Sequence, residues 1–124
     1  MTKKKYFILN RLKSVRYAFK GAYLLITTEA SLKLQFFIGV IMTIAGFYCQ
    51  LSPIEWIIQI LTIALIMAIE GLNTAIEEMA NFVHPEYHKK IGLIKDLSAG
   101  AVFIFAIAAI IVGCIIYFPK IFKY

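Results

Sequence analysis

Charged residues are scarce in this chain, and cysteine and proline are scarcer still. Only 16% of the 124 residues are charged and 61% are apolar, whereas an ordinary soluble domain is about a quarter charged. This balance excludes a typical soluble globule, and it excludes disorder, which needs high polarity. Two cysteines are too few for a disulfide-linked secreted scaffold. What remains is a small integral membrane protein, with residues 1–124 forming a single domain.

The chain also lacks the common phosphate-binding sequences. It contains no G-x-x-x-x-G-K-[ST] loop, no kinase G-x-G-x-x-G and no G-x-S-x-G nucleophile elbow. An enzyme that uses a nucleotide must therefore hold its phosphates here by other means. His84 and His88 predict no zinc site, because no cysteine or third histidine lies near them in sequence. Cys49 and Cys114 are expected to fill apolar space, with a disulfide between them as the alternative.

Three stretches are long and apolar enough to cross a bilayer, which takes about 20 residues. They are residues 34–54, 56–76 and 97–119, and the only charge within them is Glu70. The turn between the first two is very short and contains Pro53 as a breaker, so these spans must form an antiparallel hairpin. Residues 77–96 are the expected loop before the third span.

The basic residues indicate how the chain is oriented in the membrane. Eight of the 13 lysines and arginines precede position 34, three lie in residues 77–96, and only Lys120 and Lys123 follow the third span. The positive-inside rule predicts a cytoplasmic N-terminus, a cytoplasmic second loop and an external C-terminus. A net charge of +6 would indicate nucleic acid in a soluble protein, but here its position indicates anionic lipid headgroups.

Residues 6–33 predict an amphipathic helix in the cytoplasmic interface rather than a fourth span. Charges interrupt this segment throughout, while apolar residues recur at intervals of three and four and form one stripe. The residues of this stripe are Ile8, Leu12, Val15, Phe19, Ala22, Tyr23 and Ile26.

Glu70 is the strongest candidate for chemistry. A carboxylate at membrane depth costs a few kcal/mol and is a functional candidate by default; the alternative is a protonated glutamate that joins helices by a hydrogen bond. Asn73 and Glu77 share its helix face at offsets of three and seven. Glu70 and Glu77 are about 10.5 Å apart along a helix and cannot share one metal ion. The deeper carboxylate suits a general base, and Glu77 suits a divalent cation held together with Glu29.

The expected loop adds complementary groups. Acceptors, an aromatic ring and cations lie within 13 residues, and Lys95 with Asp96 can hold phosphate and metal respectively. The alternative is a solvated loop whose lysines only fix topology. The polar and aromatic residues in question are His84, Glu86, Tyr87, His88, Lys89, Lys90, Lys95 and Asp96.

Taken in order, these motifs resemble the prokaryotic diacylglycerol kinase family over nearly the whole chain. The resemblance implies an all-α membrane enzyme with an interface helix and three transmembrane helices per subunit, assembled as a homotrimer with active sites shared between subunits. It is carried by Glu29-Ala30, Glu70-x-x-Asn73-x-Ala75-Ile76-Glu77, Glu86-Tyr87-His88 and Lys95-Asp96.

The resemblance implies a role for each matching residue. Glu70 is the catalytic base with Asn73 beside it, and Glu29 and Glu77 hold the Mg²⁺ that bridges ATP. The implied ATP-binding residues are Arg11, Tyr17, Glu29, Glu77, Glu86, Tyr87, His88, Lys95 and Asp96. The candidate lipid-binding residues are Glu70, Ser31, Gln35 and Ser98. Two positions depart from the best-known members: Asn10 replaces an arginine, with Arg11 adjacent, and Ala99 replaces a serine, with Ser98 adjacent.

The expected function is transfer of the γ-phosphoryl group of MgATP to a lipid hydroxyl at the bacterial inner membrane. The turn at 51–56, the run at 99–102 and the tail at 118–120 look closer to the undecaprenol kinase branch, which favours undecaprenol over diacylglycerol as acceptor. A small proton-coupled multidrug transporter is a distant alternative, although such proteins usually have four spans with the essential glutamate in the first. A non-catalytic scaffold would not need the carboxylates and the Lys95–Asp96 pair.

Overall fold

The structure, a computed structural model, describes residues 2–122, so Lys123 of the expected external tail lies outside it. Over these residues the chain forms four α-helices: α1 (Lys3–Thr28), α2 (Ala30–Tyr48), α3 (Pro53–Val83) and α4 (Lys89–Phe122). α3 packs against α2 and α4, and α1 packs against α2. α2, α3 and α4 are each long and apolar enough to cross a membrane. The expectation of an all-α fold with three such helices is confirmed.

The α2–α3 turn is fixed by two consecutive capping motifs. Gln50 has a positive φ of 55°, and the N–H of Leu51 donates to the Gly46 carbonyl at 3.1 Å, which closes α2 with a Schellman motif. Ser52 then opens α3 with a capping box shared with Glu55. Pro53 therefore begins α3 rather than breaking a helix, since the first helical position needs no N–H. The antiparallel hairpin follows from this turn.

The expected loop over residues 77–96 is mostly helical. α3 continues to Val83 and α4 already begins at Lys89, which leaves only residues 84–88 irregular. Residues 77–83 contain no glycine or proline, and the helix ends because Pro85 restricts the backbone of His84. At 31 residues α3 is about 46 Å long, longer than the apolar layer of about 30 Å. We call the end of the bundle at residues 84–88, where α3 and α4 meet, the loop end, and we expect the polar parts of both helices there to project beyond that layer.

The break between α1 and α2 falls at Glu29, four residues before the expected end of the first helix at residue 33. Glu29 has extended backbone angles, φ −92° and ψ 121°. The hydroxyls of Thr27 and Thr28 bond the carbonyls of Tyr23 and Leu24 one turn back, an arrangement that bends helices. Glu29 thus lies at the junction of α1 and α2, on the same side of the bundle as the loop end.

A small core holds the opposite end of the bundle together, here called the turn end because it carries the α2–α3 turn. Leu51, Ile116 and Tyr117 are its buried members. The Tyr117 hydroxyl donates to Oε1 of Gln59, and Nε2 of Gln59 donates to the Met42 carbonyl at 2.9 Å. These bonds join all three long helices inside the apolar layer, where unpaired polar groups are costly.

Close helix contacts at the turn end depend on glycine. A Cβ on Gly46 would lie 2.7 Å from Cη2 of Trp56, so a larger residue would separate α2 from α3. A salt bridge of 3.0 Å between Lys120 and Glu55 then joins the ends of α4 and α3. Even so, only 11% of the most apolar stretch of α3, and of α4, is buried within the chain. Most apolar side chains of these helices face outward, as in a protein surrounded by lipid or by further copies.

Candidate active site

The polar face of α3 forms the centre of the candidate site. Its helical spacing brings Glu70, Asn73 and Glu77 to one side, as the sequence predicted. Asn73 is buried, with 7% of its surface exposed, and its Nδ2 donates to Oε1 of Glu77 at 3.4 Å. Glu70 is half-buried and Glu77 is exposed. The structure therefore joins Asn73 to the shallower carboxylate, and its expected catalytic role beside Glu70 stays a prediction.

The other polar atom of Asn73 has no partner. Its Oδ1 is buried and accepts no hydrogen bond from residues 2–122. Leaving a buried acceptor unpaired costs about 1–3 kcal/mol, so a donor from a ligand or a second chain would relieve this cost. Asn73 itself lies between Glu70 and Glu77 along α3.

The end of α1 lies against α3 at the level of Glu70. A Cβ on Gly71 would come within 3.0 Å of Cδ1 of Leu25, so a residue larger than glycine would require the Leu25 side chain to shift. The Thr74 hydroxyl donates to the Glu70 carbonyl at 3.1 Å and is thereby turned along the helix. Gly71, which has no side chain, and Thr74, whose hydroxyl bonds back to the helix, therefore place little side-chain volume next to Glu70.

The candidate metal ligands are oxygen donors on two different elements. Glu29 is half-buried at the α1–α2 junction, and Glu77 is exposed on α3. Within residues 2–122 no three His, Cys, Asp or Glu side chains come together as a metal-binding group. Two carboxylates fit Mg²⁺, which typically takes one or two from the protein and completes its shell with water and substrate phosphates.

A second group of polar residues surrounds an open cavity of about 530 Å³ at the loop end, here called the loop-end cavity. Its lining residues are Tyr87, His88, Lys89, Lys90, Gly92, Leu93 and Asp96. Nδ1 of His88 accepts a hydrogen bond from the Lys90 N–H at 3.1 Å and caps the start of α4. Glu86 is exposed, and its carbonyl contacts Nδ1 of His84 at 2.6 Å. Tyr87, His88 and Asp96 thus line one cavity, which Glu86 does not line, and their role in binding ATP stays a prediction.

Lys95 contacts Asn81, a residue that was not among the predicted site residues. Its Nζ donates to Oδ1 of Asn81 at 2.6 Å, which joins α4 to α3. Asn81 follows Glu77 by four residues, the same interval that separates Glu77 from Asn73. Continuing the polar spacing of α3 by one more turn would have identified Asn81, although not its contact with Lys95.

The two candidates on α1 lie on an exposed surface. Tyr17 is 70% exposed, and the Arg11 guanidinium lies 5.3 Å from the centre of the Phe7 ring, a cation–π contact within the same helix. Neither residue lines the loop-end cavity. A single chain therefore does not unite them with the other ATP-binding candidates.

Gln35 is the best placed of the lipid-binding candidates. It lines an apolar groove of about 470 Å³ between α2, α3 and α4, and its Oε1 is buried without a hydrogen-bond partner among the described residues. Ser31 is exposed in the first turn of α2, and Ser98 is half-buried on α4. The groove continues to Tyr117 at the turn end.

These features define a small helical membrane protein with a polar site at one end of its bundle. The chain belongs to the prokaryotic diacylglycerol kinase family, whose model matches residues 16–117. It is 36% identical over 114 residues to the undecaprenol kinase of Bacillus subtilis, covering 91% of this chain and 93% of that protein.

Diacylglycerol kinases from other bacteria are similar as well. The enzyme of Synechocystis sp. is 36% identical over 113 residues, which are 90% of this chain and 65% of that protein. The enzyme of Escherichia coli is 29% identical over 105 residues, 85% and 86% of the two chains. The expectation of a membrane lipid kinase is confirmed, and the transporter and scaffold alternatives are not supported.

Proposed function

We propose that this chain transfers the γ-phosphoryl group of MgATP to the hydroxyl of undecaprenol, giving undecaprenyl phosphate, with diacylglycerol as the alternative acceptor. The observation that carries the proposal is the Oδ1 of Asn73, which is buried without a partner in the described part of the chain, on a face of α3 that also carries two carboxylates. A lipid hydroxyl is a donor of the right kind for this oxygen. Its tails would remain in the apolar layer while the hydroxyl reaches the loop-end half of α3.

The acceptor half of the reaction needs a base and an orienting group. Asn73 Oδ1 accepts a hydrogen bond from the lipid hydroxyl and directs it, while Asn73 Nδ2 stays on Glu77. Glu70, one turn deeper, takes the hydroxyl proton as the oxygen bonds to the γ-phosphorus and ADP departs. Gln35, Ser31 and Ser98 are proposed to contact the lipid near this point. Gln35 is supported by its place in the lining of the groove and by its Oε1, which is buried without a partner among the described residues.

The nucleotide half of the reaction is mainly positioning and charge neutralisation. Glu29 and Glu77 are proposed to hold Mg²⁺, which supplies neutralisation of the phosphate charge when bound. Lys95 adds a positive charge from α4, and the loop-end cavity accommodates the rest of the nucleotide. The cavity and surface residues proposed to bind ATP are Arg11, Tyr17, Glu86, Tyr87, His88, Lys95 and Asp96.

We further propose a homotrimer, with α1 lying in the cytoplasmic interface and the N-terminus on the cytoplasmic side of the bacterial inner membrane. Two observations support assembly: the long helices keep most of their apolar surface outward, and Arg11 and Tyr17 do not reach the loop-end cavity within one chain. Arg11 and Tyr17 of a second chain would complete the group of ATP-binding residues around the cavity. The proposed orientation is supported by the distribution of basic residues: eight precede position 34 and three lie in residues 77–96. The positive-inside rule favours the cytoplasm for these segments.

The acceptor is tested by direct competition. Purified protein in lipid receives labelled MgATP with undecaprenol and diacylglycerol side by side, and the labelled products are separated. We expect undecaprenyl phosphate to form faster, and only with magnesium present. Glu70→Gln serves as the inactive control for contaminating kinases. Exclusive labelling of diacylglycerol would reassign the acceptor, and no lipid product at all would refute the proposed function.

A further inference from the structure

One hydrogen bond joins the projecting parts of α3 and α4 just before the loop end. The Lys95 ammonium donates to Oδ1 of Asn81 at 2.6 Å, between residues 14 positions apart. A hydrogen bond from a charged donor is stronger than one between two neutral groups. The bond therefore determines where the ammonium lies relative to α3.

The position of Asn81 on α3 gives this bond a functional context. Asn73, Glu77 and Asn81 follow one another at intervals of four residues, so they share one helix face. Each step is about 6 Å along the axis, and the first step is already bridged by the bond from Asn73 to Glu77. The ammonium of Lys95 is thus held one turn beyond the candidate metal carboxylate, on its side of α3.

The chemistry of lysine explains why an acceptor is useful there. Its ammonium is a compact charge on a flexible four-carbon stem and carries three donors. Asn81 occupies one donor, and two remain for phosphate oxygens. An ammonium anchored in this way loses less conformational freedom when a nucleotide binds.

We propose that Asn81 is a positioning residue that holds Lys95 for the phosphates of ATP, an inference that rests on the proposed function. Asn81 acts through Lys95 and does not itself touch the reacting atoms. Its removal should therefore matter only while the lysine is present.

A double-mutant cycle tests this dependence. The Kd for MgATP and the kcat for lipid phosphorylation are measured on the full chain in lipid micelles for Asn81→Leu, Lys95→Met and the double variant. Asn81→Asp retains an acceptor and serves as the conservative rescue. Phe82→Leu introduces the same leucine at the neighbouring residue, which is 89% exposed, and serves as the matched control.

We expect Asn81→Leu to raise the Kd about fivefold, as loss of one hydrogen bond would, with a smaller change in kcat. Phe82→Leu should stay within about twofold of the parent, a range typical of surface substitutions, and Asn81→Asp, which keeps an acceptor for Lys95, should bind MgATP more tightly than Asn81→Leu. In the Lys95→Met background, Asn81→Leu should add nothing. If it weakens binding equally in both backgrounds, or changes nothing in the parent, the positioning role is refuted while the lipid kinase function stands. If Lys95→Met alone leaves the Kd unchanged, the proposed nucleotide role of Lys95 fails as well.

Discussion

Asn73 donates a hydrogen bond from Nδ2 to the Glu77 carboxylate across 3.4 Å, while its Oδ1 is buried without a partner among residues 2–122. One side chain therefore connects two parts of the candidate site, the carboxylate assigned to the metal and the space assigned to the lipid hydroxyl. Substituting Asn73 should disturb both parts. Substituting Glu70 or Glu77 should instead affect different steps, the chemical step for Glu70 and metal and nucleotide binding for Glu77. The predictions on the carboxylates use this difference.

If Glu29 and Glu77 hold Mg²⁺, replacing either glutamate by glutamine, which keeps the shape but removes the charge, should greatly reduce activity. Glu29→Gln and Glu77→Gln should each remove most lipid phosphorylation, because Mg²⁺ needs carboxylate charge that an amide cannot supply. Activity is measured across a magnesium titration, with Glu78→Gln as the control because Glu78 is exposed and adjacent to Glu77. Near-normal turnover of both variants at saturating magnesium would remove them from the site.

The turn-end network predicts a loss of stability without a loss of chemistry. Tyr117→Phe leaves Oε1 of Gln59 without the hydroxyl donor, and we expect the free energy of unfolding to fall by about 1–2 kcal/mol. The kcat of the folded protein should stay near the parent value, since Gln59 lies eleven residues before Glu70 on α3, about 16 Å along the helix axis. Unfolding in detergent is followed by loss of helicity.

Tyr48→Phe is the control for that substitution. Tyr48 lies at the same end of the bundle but is 89% exposed, so its change should cost less than about 0.5 kcal/mol. Equal destabilisation by Tyr48→Phe and Tyr117→Phe would show that the buried hydrogen bonds contribute nothing specific.

The proposed orientation predicts a labelling pattern in intact cells. In a background with Cys49 and Cys114 replaced by alanine, a cysteine at Ile54 should react with an impermeant reagent added outside. A cysteine at Val83 should react only after the membrane is opened. Both positions are well exposed, at 70% and 69%, so access rather than burial decides the result. The reverse pattern would overturn the orientation and place the ATP site outside.

The sequence predicted the long helices and the polar face of α3 because both follow from local periodicity. Apolar run length marks the spans, and offsets of three and four place Glu70, Asn73 and Glu77 together. Family membership and lipid kinase activity also followed from these motifs and are confirmed. The roles of the individual site residues stay predictions.

Other features could not be predicted from the sequence because they depend on tertiary contacts or on competing local signals. The end of the second apolar stretch at residue 76 indicated a loop over 77–96, but residues 77–80 are good helix formers, no glycine or proline occurs in 77–83, and the helix ends just before Pro85. The break at Glu29 arises from hydroxyl bonds of two threonines rather than from glycine or proline. The Asn81–Lys95 bond joins residues from separate helices, so no spacing rule within one helix reveals the pair.

The final prediction concerns the base. Glu70 lies two turns deeper along α3 than Glu77, about 10.5 Å along the axis, and it is half-buried where Glu77 is exposed. A base acts only in the chemical step, whereas a metal ligand also acts in nucleotide binding. Glu70→Gln should therefore lower kcat by about 10²–10⁴-fold, the range for lost general-base catalysis, with little change in the Kd for MgATP. Turnover and nucleotide binding are measured on one preparation, with Glu77→Gln in parallel. If Glu70→Gln loses nucleotide binding together with turnover, Glu70 contacts the nucleotide or its metal, and the division of roles between the two carboxylates is wrong.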